Sequence, residues 1–234
     1  MTVVDLGAAP GGWVQAAEEC FSTSTARSNL RGRRNPSRII AVDLLALHPE
    51  ALALPSVTFI RGDFLDPIIQ SRVASELVAE GNGDGKVDLV LSDMLANMSG
   101  SKGRDAQLSL DLCLAALEFA VDHLRPFAPS LPLDANPSSN FHQPPPSHPP
   151  LKPKETTSLI MKFLQSDLTP TFSETLKSYF TSVRWEKPSS SRPESREGYW
   201  VCSGFKGKGT TSRPSPMEER GKVKDQVEEV SIFF

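Results

Sequence analysis

Val3-Val4-Asp5-Leu6-Gly7-Ala8-Ala9-Pro10-Gly11-Gly12-Trp13 is the stretch whose reading decides the fold. Two valines and a leucine favour a buried strand. Gly7, Gly11 and Gly12 then remove side chains where a backbone turns sharply or approaches a ligand. The run Val14 to Cys20 is built from helix formers. The turn therefore opens a helix whose first N–H groups have no acceptor within the helix. Strand, glycine turn and helix N-terminus together form a nucleotide-type cradle.

The spacing is neither the GxGxxG of a dinucleotide site nor the GxxxxGK[ST] of a phosphate loop. The turn holds no lysine, and Trp13 is bulky where a phosphate loop is tight. That suits a nucleoside without phosphates, such as S-adenosylmethionine. An ordinary αβ crossover with a glycine turn is an equal reading at this point.

Downstream, three further strands end in acids. Ile39 to Asp43 is a short apolar run closed by Asp43. In nucleoside-binding αβ folds an acid at that place accepts from ribose hydroxyls, although a turn aspartate is the plainer reading. Val57 to Ile60 precedes Arg61-Gly62-Asp63-Phe64, so Asp63 stands just past a strand end. Val87 to Asp93 is a fourth strand with Asp93 at its tip. Helical periodicity predicts helices over 66–80, 104–124 and 171–179. His123 reads as a partner for the dipole at the end of the second of these.

Ser158 to Phe163 is a fifth strand carrying Lys162, a lysine whose charge burial disfavours. Ser182–Lys187 and Gly198–Phe205 read as two last strands. The prediction is an α/β chain with a seven-stranded, mostly parallel sheet and helices on both faces. Residues 1–206 form one domain and 207–234 a charged tail.

Two segments interrupt this pattern. Residues 22–37 read as a basic loop, and Arg27, Arg31, Arg33, Arg34 and, just past its end, Arg38 fall within twelve residues. Residues 126–156 read as a disordered insertion, because half of the chain's 20 prolines fall there and no helix or inner strand tolerates that density. The net charge of -3 does not advertise a nucleic-acid binder, so phosphate contacts are expected locally, from Arg27–Arg38 and Arg184–Arg196. Cys20, Cys113 and Cys202 lie far apart, which argues against a disulfide framework or a zinc site and suits a reducing compartment. No metal ligand set is expected. No apolar run has the length of a membrane span, so no membrane partner is expected.

The blocks Asp5 to Trp13, Gly62-Asp63-Phe64, Ser92-Asp93-Met94 with Asn97 to Gly100, Lys162-Phe163, and Lys187-Pro188 through Glu197 occur in one order. In that order the chain resembles the FtsJ/RrmJ family of S-adenosylmethionine-dependent ribosomal RNA 2'-O-methyltransferases. The resemblance implies a Rossmann-like methyltransferase fold with S-adenosylmethionine over the carboxyl ends of the early strands. It implies Gly7, Gly11 and Trp13 in the cofactor turn, Asp43 at the ribose, Asp63 at the adenine amino group and Asp93 beside the methyl donor. Catalysis falls to Lys162, with Asp93 orienting it and Glu197 completing the polar cluster.

The family's set also includes a lysine in a helical segment ahead of the first strand, and no residue here corresponds to it. The partner implied is ribosomal RNA or a pre-ribosomal large subunit, bound by a monomer. Gly7 and the Met98-Ser99-Gly100 ending are most like the mitochondrial, fungal-type branch that modifies a large-subunit uridine. A tRNA ribose methyltransferase of the same family, and a non-catalytic RNA-binding assembly factor, are the competing expectations.

Overall fold

The computed structural model describes residues 1–28, 37–79, 84–127, 157–189, 191–192 and 194–208. Its strands are β1 (Thr2–Leu6), β2 (Arg38–Asp43), β3 (Val57–Arg61), β4 (Leu89–Ser92), β5 (Ser158–Leu164), β6 (Phe180–Glu186) and β7 (Glu197–Phe205). They form one sheet in the order β3-β2-β1-β4-β5-β7-β6. The first five are parallel, and β7 lies antiparallel between β5 and β6. The chain starts at β1, works outward to β3, then returns to β4 on the other side of β1. That reversal leaves a crevice at the carboxyl ends of β1 and β4, where open α/β sheets bind ligands.

The helices are α1 (Gly12–Ser28), α2 (Pro49–Leu52), α3 (Pro67–Val78), α4 (Lys102–His123) and α5 (Thr169–Tyr179). Strand alternation divides them between two faces. Val4, Leu6, Ile40, Val42, Val90 and Met161 pack with residues of α3, α4 and α5. Val3, Ile39, Ala41 and Leu91 pack on the opposite face with Val14, Ala17 and Phe21 of α1 and Ala51 of α2. Five strands buried on both faces explain the near-continuous apolar runs in the sequence. No helix among the described residues is long and apolar enough to cross a membrane.

Three expectations need correction. Helix α1 continues to Ser28, so the stretch read as a loop from residue 22 begins as helix. Once nucleated, a helix extends at little cost per residue, and residues of modest propensity are carried along. Residues 29–36 lie outside the described residues, as do 128–156 of the proline-rich segment and 209–234 of the tail.

Arg38 opens β2 at the end of the sheet remote from the crevice. It is ion-paired with Glu76 at 2.9 Å and donates to the Ala79 carbonyl at 3.2 Å. It therefore fastens α3 to β2 and is not part of a phosphate-binding loop.

His123 sits 4.5 Å from the Phe119 ring and within 3.2 Å of the Gly85 carbonyl. Burial pushes its pKa down, which favours the neutral ring over a charged dipole partner. The short helix α2 was not anticipated. It is a single turn, too brief to print a period, and is placed by Ala51 packing under the glycine turn.

Candidate active site

The glycine turn is shaped by its neighbours. Gly7 has φ +77°, and the Gly7 and Ala8 N–H groups both donate to the Val42 carbonyl, at 2.9 and 3.1 Å. A Cβ on Gly7 would lie 2.7 Å from the Met94 nitrogen. The missing side chain lets the backbone leaving β4 pass beside β1. Gly11 has φ +121°, and a Cβ there would lie 2.5 Å from Cβ of Ala51. Both glycines are accounted for by backbone conformation and close packing. Gly12 then opens α1 with room around it.

Asp43 and Asp63 occupy the carboxyl tips of β2 and β3 as expected. Asp43 accepts from Ala9 N–H through Oδ2 and from Leu45 N–H through Oδ1, each at 2.8 Å. Its plainer reading as a turn residue is thus realised, and it ties the glycine turn to β2. Each carboxylate oxygen has capacity for a second donor. Asp63 is exposed and accepts from Leu65 N–H at 2.9 Å. Leu44, Leu45, Leu65 and Ile68 are all more than 40% exposed and make an apolar lip next to these acids.

On the other side of the crevice the side chains engage one another. Asp93 follows β4, its N–H held by the Leu6 carbonyl at 2.9 Å. Its Oδ1 accepts from Lys162 Nζ and from the Tyr199 hydroxyl, both at 2.8 Å. Lys162 of β5 stands directly across from Tyr199 of β7, so both side chains project from the same face. That face also carries Trp13, whose ring is 5.6 Å from the Tyr199 ring. Burial, then the hydrogen bond to Asp93 and its charge, push the Tyr199 pKa up, so the hydroxyl is a fixed donor at neutral pH.

The opposite face explains why these polar groups stay put. Phe163 and Trp200, the neighbours of Lys162 and Tyr199 in sequence, point away from the crevice into an aromatic cluster with Phe172 and Trp185. Aromatic pairs of this kind contribute about 0.5–1.5 kcal/mol each beyond their burial. They fix the register that aligns Lys162 with Asp93. From α4, the Cys113 thiol donates to the Lys162 carbonyl at 2.9 Å. The loop after Asp93 is secured by Asp105, which accepts from Ser99 N–H at 2.8 Å and Ser99 Oγ at 2.7 Å. Those bonds hold the Asp105 carboxyl below the usual range.

Glu197 begins β7 two residues before Tyr199, on the same face, and its charge helps raise the Tyr199 pKa. Among the described residues its carboxylate makes no hydrogen bond or ion pair. Tyr199 was not anticipated from the sequence. Its signal was only a tyrosine at an alternate position of a late strand, and what gives it meaning is the cross-strand partner. Asp5 was also missed. It lies mid-strand in β1, fully buried, and neither oxygen has a hydrogen-bond partner among the described residues. Desolvation first, then the charges of Asp93 and Asp43, push its pKa up to about 7.

A family model described as FtsJ-like methyltransferase matches residues 1–205. Ribosomal RNA large subunit methyltransferase E of Pseudomonas aeruginosa is 34% identical over 207 residues, covering 88% of this chain and 76% of that protein. The protein of the same name from Psychrobacter cryohalolentis is 33% identical over 202 residues, covering 86% and 72%. The crystal structure of a protein described as a ribosomal RNA methyltransferase from Plasmodium falciparum superimposes with a TM-score of 0.60 at 22% identity. It covers 88% of this chain and 87% of that one, a likeness of fold.

Proposed function

The chain belongs to the FtsJ-like methyltransferase family, and from that premise we propose that it methylates the ribose 2'-oxygen of a nucleotide in large-subunit ribosomal RNA, using S-adenosylmethionine. The observation that carries the reading is the convergence of Lys162 Nζ and Tyr199 OH on one oxygen of Asp93, beside a glycine turn at the sheet's reversal point.

The crevice suits such a cofactor. Asp43 and Asp93 bring carboxylates to one face, which fits a ligand bearing a positive sulfur. The apolar lip of Leu44, Leu45, Leu65 and Ile68 beside Asp63 suits a flat base with a donor amine. In this reading Gly7, Gly11 and Trp13 shape the turn against the methionine part, Asp43 holds the ribose, and Asp63 the adenine edge. Bound there, the cofactor supplies a methyl group on a sulfonium that is already a reactive donor.

The chain's own residues then position the acceptor and handle its proton. A ribose hydroxyl is a poor nucleophile until its proton is drawn away. Lys162 Nζ takes that proton. Asp93, its partner at 2.8 Å, orients the amine and stabilises positive charge on it. Tyr199 fixes the Asp93 carboxylate from the other side. Glu197, at the mouth of the same face, contributes its charge. Positioning of this kind supplies a large part of a displacement reaction's acceleration.

The finer assignment is a uridine of mitochondrial large-subunit rRNA, supported by the Gly7 and Met98-Ser99-Gly100 blocks, with the chain acting in the mitochondrion as a monomer. The test is incubation of the purified protein with isotopically labelled S-adenosylmethionine and large-subunit rRNA, followed by digestion and mass spectrometry. A labelled 2'-O-methyl nucleoside, absent with Lys162→Ala, is the expected result. Label on a base, or transfer to tRNA with rRNA untouched, overturns the substrate assignment. Binding of rRNA with no transfer at all returns the assembly-factor reading.

A further inference from the structure

Asp5 is a buried acid whose carboxyl is unpartnered among the described residues. Its side chain has no exposed surface, and both oxygens lack a hydrogen-bond partner among the described residues. A buried polar group without a partner costs free energy, and a bare carboxylate costs more. The register shows where this acid stands. Asp5 pairs with Ala41 of β2 and Leu91 of β4. Two residues further along those strands, on the same face, stand Asp43 and Asp93. Between them, two residues beyond Asp5, is Gly7, which has no side chain to cover it. Asp5 therefore lies at the base of a triangle of carboxylates spanning three adjacent strands.

The charged and titratable groups around it are few. Asp43 faces it from β2 and Asp93 from the end of β4, and both act on it through their charge. Lys162 of β5 and Tyr199 of β7 reach it through Asp93. From α1 and α2, the buried residues on this face are Val14, Ala17, Phe21 and Ala51, none of which titrates.

We propose that Asp5 is a specificity-determining residue that selects the positively charged methyl donor over the demethylated product, by releasing its proton when the sulfonium is bound and keeping it when the sulfur is neutral. The inference rests on the S-adenosylmethionine reading above. Donor and product share the same adenosine, amine and carboxylate. They differ by one methyl group and one positive charge at sulfur. A buried ionised carboxylate near that charge is compensated by it, whereas near a thioether it is opposed by desolvation and by two neighbouring acids. Asp5 pushed up to about 7 in the free protein is poised for this exchange. The proton leaves the Asp5 carboxyl for solvent on donor binding and returns from solvent after methyl transfer. No other bond changes at Asp5.

The test is calorimetric titration of the protein with S-adenosylmethionine and, separately, S-adenosylhomocysteine, between pH 5.5 and 8.5. The expected result is a ratio of donor to product affinity that rises about tenfold across this range in the wild type and stays flat in Asp5→Asn. Repeating the titrations near pH 6.5 in two buffers of different ionisation enthalpy reads the proton directly and needs no variant. Net proton release greater for donor than for product is expected. Equal proton release for both ligands, or the same pH slope in wild type and variant, overturns the proposal while leaving the cofactor reading intact. Failure of both ligands to bind the wild type overturns the cofactor reading, and this inference with it.

Discussion

The two sides of the crevice are built on opposite plans. On the β2–β1 side the polar groups serve the backbone. Asp43 holds Ala9 and Leu45, Asp63 holds Leu65, and the glycines admit their neighbours. On the β4–β5–β7 side they serve each other, with Lys162 and Tyr199 sharing one oxygen of Asp93. The first plan makes a rigid cradle whose loss is read as stability or binding. The second makes a charge cluster whose loss is read as rate. Asp5 lies beneath both and belongs to neither, because its carboxyl has no hydrogen-bond partner among the described residues.

The largest expected effect falls on the charge cluster. Lys162→Ala lowers the rate of methyl transfer by roughly 10²–10³-fold, while the affinity for S-adenosylmethionine changes less than about threefold. Single-turnover kinetics with calorimetry separates the two. An equal loss of rate and affinity would merge the two sides into one unit.

Asp5 breaks the comparison through pH. Its native pKa of about 7 lies well above that of a free carboxyl, about 3.9, so the folded state holds a proton that the unfolded chain has released between those values. Stability falls as pH rises through that window and levels off above it. Asp5→Asn, which cannot ionise, gains on the order of 2–4 kcal/mol over the wild type at pH 8 and nothing near pH 4. Urea unfolding at the two pH values reads the difference, and an equal effect at both refutes it.

Gly7→Ala sharpens the cradle side. The positive φ and the Met94 backbone leave no place for a methyl group, and the expected cost is about 2–3 kcal/mol of stability. A urea midpoint unchanged from wild type would show that the turn relaxes freely.

Tyr199→Phe gives the smallest effect. It removes one hydrogen bond to a charged group while the ring stays packed on Trp13. Rate falls about tenfold and stability by roughly 1 kcal/mol. In a cycle with Asp93→Asn the two changes are strongly non-additive, and simple additivity would show that Tyr199 does not act through Asp93.

The elements most legible in the sequence were those with a local cause. The parallel strands printed apolar runs because both faces are covered, and Asp66 before Pro67 capped α3 as a local side chain can, accepting from Ile68 N–H at 2.9 Å. The sheet was read as mostly parallel, and β7 is its antiparallel member. The end of α1 and the single turn of α2 were not legible, because propagation and packing placed them. Arg38 looked like one of a basic cluster, yet Glu76 on a helix far along the chain claims it.

The sequence by itself determined the α/β class, the glycine turn, the acids at strand tips and the lysine on β5, since each is written in residue type and short-range spacing. Only the tertiary structure decided that Tyr199 meets Asp93 across 106 positions, that Glu197 acts on Tyr199 through its charge, and that Asp5 has no hydrogen-bond partner among the described residues. Those outcomes depend on which strands are neighbours and on which face each residue points, and a linear pattern carries no record of what lies across the sheet.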